Sequence, residues 1–145
     1  MLRDSFSRVY TKFKLHFNQK VFEKIQERET SLTTVETFCM EIIYAANEPT
    51  VNEFAKIANL SSPNAAYKVN NLMKKGYLEK IQSKEDKREF HLRVTQKNLD
   101  YNNISYQYLN TVLPRLEDRF TPEALEVVDR VLRVMDEELM PEIPI

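Results

Sequence analysis

One glycine, one cysteine and no tryptophan occur in 145 residues. Average glycine usage near 7% would give roughly ten. A phosphate-cradling loop or a dinucleotide-binding turn needs two or three glycines within a few residues, so both are excluded. An all-β sandwich with many tight hairpins is disfavoured too, because such turns ask for positive φ. The lone cysteine, Cys39, leaves no intramolecular disulfide framework and suits a reducing compartment. No apolar run reaches membrane-spanning length, and the N-terminal MLRDSFSRVYTKFKLHF is charged throughout, without a signal-peptide apolar region. The expected location is cytoplasmic, with no membrane partner.

What is present fits helices joined by short polar turns. Hydrophobic residues make up 42% and charged residues 30%, enough apolar material for a core in a chain of single-domain length. The net charge of −1 hides an uneven distribution. Residues 1–49 are neutral; residues 50–95 carry nine basic and five acidic side chains; residues 96–145 carry five basic and ten acidic ones. The basic middle is either a surface for an acidic partner such as nucleic acid or simply a solvated face.

Periodicity places the elements. Phe6, Val9, Tyr10, Phe13, Phe17, Val21, Phe22 and Ile25 form one helical stripe from Leu2 to Glu29. A helix this long either spans the whole domain or packs against a second chain. Thr33 with Glu36 and Thr50 with Glu53 are capping boxes that open two further helices. The first should run to about Asn47 and the second over two or three turns. Ser61 and Ser62, with Pro63 just inside, open the next helix, and Gly76 stops it. Tyr77, Leu78 and Ile81, then Phe90, Leu92 and Val94, read as two short strands around the polar tip Ser83–Arg88. Leu99, Ile104, Tyr108, Val112 and Leu116 continue at helical spacing, with Pro114 a kink or an early stop. Thr121-Pro122-Glu123 starts a last helix with the stripe Leu125, Val128, Val131, Leu132, Met135 and Leu139. The fold class is mainly α with a small two-stranded β wing.

Two short helices joined by Ala58-Asn59-Leu60-Ser61 make a helix-turn-helix, and the hairpin directly after them makes it a winged one. In such a module the Ser61–Lys75 helix would enter the major groove by its N-terminal half. The hairpin tip would reach phosphates or the minor groove.

In this order of elements the sequence resembles the MarR family of bacterial winged helix-turn-helix transcriptional regulators. The wing carries the sharpest part of the likeness. The family's Asp-x-Arg, three residues, Leu, one residue, a branched aliphatic and Thr is matched by Asp86-Lys87-Arg88-Glu89-Phe90-His91-Leu92-Arg93-Val94-Thr95. Leu72-Met73-Lys74-Lys75-Gly76-Tyr77-Leu78-Glu79-Lys80 is similar to the family's exit from the recognition helix, and Phe120-Thr121-Pro122-Glu123-Ala124-Leu125 to its start of the final helix. The resemblance implies a winged helix-turn-helix lobe at 33–95 flanked by dimerisation helices at 1–30 and 97–140. It implies a homodimer on double-stranded DNA with a pseudo-palindromic operator. Arg88 would enter the minor groove, and Asp86 would hold its guanidinium through a charge-assisted pair. A repressor released by a small aromatic or lipophilic effector, bound between the dimerisation helices and the DNA-binding lobe, completes what the family implies.

The expected DNA-binding residues are Ser61, Ser62, Pro63 and Asn64 at the helix start, then Tyr67, Lys68, Asn70 and Asn71 along it. Lys84, Asp86, Lys87 and Arg88 at the wing complete the set. Ser62, Pro63 and Asn64 are also what a helix start requires. Asn64 or Asn70 would read an adenine edge, and Lys68 would supply a phosphate contact. Ala66, Tyr67 and Asn71 stand where the family often has a hydroxyl residue, a basic residue and a second basic one, so no operator sequence transfers. These departures keep a second function open, a winged-helix protein-interaction module that does not bind DNA. Lys74 and Lys75 suit the helix C-terminus. Cys39, among Phe38, Met40 and Ile42, reads as a buried small hydrophobe before an oxidant sensor. Tyr10, Phe13, Phe17, Phe38 and Tyr44 are core aromatics or the lining of an aromatic-ligand pocket. His16 and His91 form no ligand spacing with Cys39, so no metal or cofactor is expected. No catalytic nucleophile–base pair is recognisable, which places an enzyme last.

Overall fold

The computed structural model describes residues 1–26, 32–96 and 104–145. Its element order is α1 (Leu2–Gln26), α2 (Thr34–Ala45), α3 (Val51–Ala58), α4 (Ser62–Lys74), β1 (Leu78–Gln82), β2 (Phe90–Val94), α5 (Ile104–Arg119) and α6 (Pro122–Val134). A π-helical turn, Met135–Leu139, extends α6. The chain divides into two compact units, Met1–Ser105 with Ile145, and Tyr106–Pro144. Among the described residues no helix is long and apolar enough to cross a membrane.

In the first unit the helix starts are the ones the sequence writes. The Thr33 hydroxyl accepts the Glu36 N–H at 3.2 Å while the Glu36 carboxylate accepts the Thr33 N–H at 2.8 Å. Thr50 and Glu53 repeat the exchange at 3.1 and 3.4 Å. Ser61 caps α4 by accepting the Asn64 N–H at 3.3 Å, with Pro63 in the first turn. Each such cap satisfies donors that the helix itself cannot, and is worth about 1 kcal/mol.

The caps fix the start of each helix, and the core fixes its rotation. Met40 and Ile43 of α2, Phe54 of α3, Ala65, Val69 and Leu72 of α4 and Leu92 of β2 are all fully buried in one cluster. Ala65, Val69 and Leu72 follow the i, i+4, i+7 spacing of one helix face, so the core fixes which face of α4 looks outward. From α1 the cluster receives Val21, with Phe17 packed against it. Much of the rest of the α1 stripe is exposed, including Phe6, Val9, Tyr10 and Phe22. The stripe's last segment, through Glu29, lies partly outside the described residues.

The two strands pair antiparallel, Leu78 opposite Val94 through Gln82 opposite Phe90. One departure lies before α3. The second helix, expected to about Asn47, ends at Ala45 because Asn47 and Glu48 turn left-handed, with φ of 54° and 57°. This bend brings Pro49 alongside β2, where its carbonyl accepts the Leu92 N–H at 2.8 Å, and Thr50 bridges His91. On its other edge β2 thus gains a short third partner from the linker, which supports a hairpin that two strands alone would leave marginal.

In the second unit Pro114 lies inside α5 and does not stop it. Leu99 falls outside the described residues. Thr121 caps α6 by accepting the Ala124 N–H at 3.4 Å, as its Thr-Pro-Glu start requires. No residue of α6 is buried, and Val127, Val128, Val131 and Leu132 are between 44% and 52% exposed.

Candidate nucleic-acid interface

The turn between α3 and α4 uses no glycine. Asn59 takes the left-handed conformation, φ 54°, and its N–H donates to Lys56 O while the Leu60 N–H donates to Ala55 O. Gly76 closes α4 with the same pair of bonds: its N–H donates to Met73 O and the Tyr77 N–H to Leu72 O, each at 3.0 Å. That pairing is a Schellman motif, completed by the buried apolar pair Leu72 and Tyr77. Gly76 has φ 84°, the left-handed geometry that its place between helix and wing demands.

With Ala65, Val69 and Leu72 inward, the helical period sets Pro63, Tyr67, Asn70 and Lys74 on the opposite face of α4, all exposed. Tyr67 stands furthest out, 65% exposed. Ser61, Ser62 and Asn64 are exposed in the cap and first turn, and Asn71 is half-buried on a flank. Lys68 is half-buried on a flank too, near enough to Cys39 for its charge to act on the thiol. It therefore does not share the outward row. Lys74 does share it, a position that the arithmetic of the helical period could have found. Lys75 is engaged elsewhere, its ammonium 2.7 Å from the Glu36 carboxylate. Burial pushes the Glu36 carboxyl up, but the hydrogen bonds from Lys75 and the Thr33 backbone outweigh it and hold it below its ordinary value.

At the wing tip Asp86 organises the turn. One carboxylate oxygen accepts the Arg88 N–H at 3.0 Å and lies 3.4 Å from Arg88 Nε, and the Asp86 carbonyl accepts the Glu89 N–H. The Ser83 hydroxyl accepts the N–H groups of Glu85 and Asp86, and the Gln82 amide donates to Lys87 O. The Arg88 side chain projects almost wholly into solvent beside exposed Lys84 and Lys87. The remaining signature residues build the hairpin. Leu92 enters the core, and the Thr95 hydroxyl donates to the Gly76 carbonyl at 2.6 Å, tying the end of β2 to the end of α4.

Glu48 and Arg93 carry no motif and were invisible in the sequence, because 45 residues separate them. Their side chains pair at 2.5 Å, and the Glu48 carbonyl accepts a hydrogen bond from His91 Nδ1 at 2.8 Å. Between the end of α2 and β2 lies a cavity of about 350 Å³, lined by Ile43, Tyr44, Asn47, Glu48, Arg93 and Val94 among others. Of the five aromatics that the sequence offers as pocket residues, only Tyr44 lines it. Phe17 and Phe38 instead pack on each other, ring centroids 6.3 Å apart, and Lys14 lies over the Tyr10 ring. Cys39 is a core residue whose thiol is pushed up by burial, the opposite of what a reactive thiolate needs.

Two packed helices with a capped second member, followed by a hairpin whose basic tip is rigidly turned, define a winged helix-turn-helix. The segment 32–90 matches the model of the MarR family. Solved structures of regulators from three bacteria share the fold. Staphylococcus aureus MepR bound to ethidium bromide is 17% identical with a TM-score of 0.58, covering 97% of each chain. Streptococcus pneumoniae FabT in complex with DNA is 22% identical with a TM-score of 0.54, over 92% of this chain and 96% of that one. A MarR-like transcriptional regulator from Thermotoga maritima is 16% identical with a TM-score of 0.61, over 95% and 94%. No curated protein sequence matches the chain.

Proposed function

We propose that this chain is a DNA-binding transcriptional regulator, a homodimer that reads a pseudo-palindromic operator. In each protomer α4 lies in the major groove with Pro63, Tyr67 and Asn70 toward the bases. Ser61, Ser62 and Asn64 approach the groove edge, and the wing tip places Arg88 in the flanking minor groove. Asp86 keeps the guanidinium in one orientation, which lowers the ordering cost of insertion. Lys84 and Lys87 meet phosphates. The observation that carries this reading is a single lobe that turns an exposed polar helix face and a stiffened, solvent-projecting Arg88 outward together. The family match over residues 32–90 and the DNA complex of FabT support it.

In the finer reading the regulator is a repressor that a small aromatic or lipophilic ligand releases. The ethidium complex of MepR supports a ligand of that class. The test begins with selection of bound duplexes from random sequence. A regulator of this kind yields an inverted repeat whose affinity falls steeply as salt rises. Arg88→Ala, measured by fluorescence anisotropy on that repeat, should weaken binding about tenfold or more while the far-ultraviolet circular dichroism stays the same. Unchanged affinity would remove the wing from the interface. Failure to retain any duplex at low salt would favour a protein-interaction module.

A further inference from the structure

The outward face of α4 is poor in one particular chemistry. Arginine or lysine is what grips guanine at O6 and N7, whereas asparagine matches adenine at N6 and N7 and an apolar surface packs on the 5-methyl group of thymine. From Ser61 to Lys74 there is no arginine and no glutamine, but there are three asparagines and one tyrosine. Tyr67 and Asn70 stand one turn apart on the face opposite the core. Asn64 is exposed in the first turn. Both lysines of the helix are badly placed to read a base. Lys68 is half-buried on the flank of α4, off the outward row. Lys74 is the last residue of α4, about 6 Å along the axis beyond Asn70 and about 10 Å beyond Tyr67, at the end of the helix where the wing begins.

We infer that α4 selects a half-site whose major-groove positions are A·T pairs. The Asn70 amide donates to adenine N7 and accepts from its N6 amino group, and the Tyr67 ring packs on the methyl group of a neighbouring thymine. Up to Asn70, no side chain on the outward row offers guanine a cation. This inference rests on the DNA-binding reading and names the class of sequence that the same surface takes.

The full-length protein is first used to select duplexes. The aligned half-sites should carry A·T pairs at the positions under α4. In the selected duplex, deoxyuridine then replaces thymine, removing only the methyl group, and 7-deazaadenine replaces adenine, removing only N7. Each replacement should lower affinity about tenfold for the wild-type protein. The deoxyuridine penalty should vanish in Tyr67→Ala and the 7-deazaadenine penalty in Asn70→Ala, both exposed positions at which truncation spares the core. Tight binding to half-sites with G·C pairs at these positions, or analogues that cost nothing, would overturn the inference and leave the DNA-binding reading standing. Absence of binding to any duplex at low salt would overturn both.

Discussion

Among the described residues four hold positive φ: Asn47, Glu48, Asn59 and Gly76. Only one of them is glycine, which explains how the chain folds with so little of it. Asparagine tolerates the left-handed region because its short amide makes local hydrogen bonds, and it closes α3 as glycine closes α4. The two sites differ in tolerance. At φ 84° and with both Schellman bonds made, Gly76 sits where a β-branched side chain meets the backbone. Gly76→Val should therefore lower unfolding free energy by about 1–2 kcal/mol or more, and Gly76→Asn by clearly less. Urea denaturation of the two variants checks this. Equal losses would show that left-handed strain is not what glycine relieves there. The valine variant should also weaken DNA binding, because the wing leaves the helix through this residue.

Among the elements, the wing divides its signature into two tasks. Asp86 and Arg88 form an exposed tip, whereas Leu92 fills the core and Thr95 ties β2 to the end of α4. Leu92→Ala should cost about 2–5 kcal/mol of stability through the cavity it leaves. Arg88→Ala should change stability by less than about 0.5 kcal/mol, since an exposed pair contributes little. Thermal denaturation of both variants separates the tasks, and a large loss of stability in Arg88→Ala would contradict the division. The linker matters at this scale as well. Its carbonyl at Pro49 and the Glu48 side chain bind the outer edge of β2, so the hairpin is held on a side that no wing motif describes.

For the whole molecule, the unburied apolar stripes bear on assembly. Neither α6 nor most of α1 hides its hydrophobic face within the chain. An exposed apolar stripe marks a contact surface, and in the proposed homodimer the stripe of α6 would meet a second copy. Val131→Glu combined with Leu132→Glu should shift the protein from dimer to monomer in light scattering. Affinity for the full inverted repeat should fall far more than affinity for one half-site. A dimer that survives both charges would place the contact elsewhere.

Much of this protein was legible in its sequence because the signals are local. Capping boxes, the proline after Ser62, the glycine at position 76 and the 3.6-residue stripes each act within one or two turns, and their consequences do not depend on distant residues. The wing's alternation and its Asp-to-Thr spacing belong to the same class. Tertiary structure alone decided what depends on residues far apart. It set Lys68 on a half-buried flank of α4 and Lys74 outward, paired Glu48 with Arg93, and laid Pro49 and Thr50, just after the bend at Asn47 and Glu48, along β2. Of the two expectations for Pro114, a kink or an early stop, the early stop does not occur, since α5 runs on to Arg119. The scarcity of glycine removed phosphate loops and tight β folds, but it did not reveal that asparagine would take glycine's place at the helix-turn-helix. That substitution shows in one backbone angle, φ 54° at Asn59, in the turn between two helices that bury Phe54 and Val69 in one core.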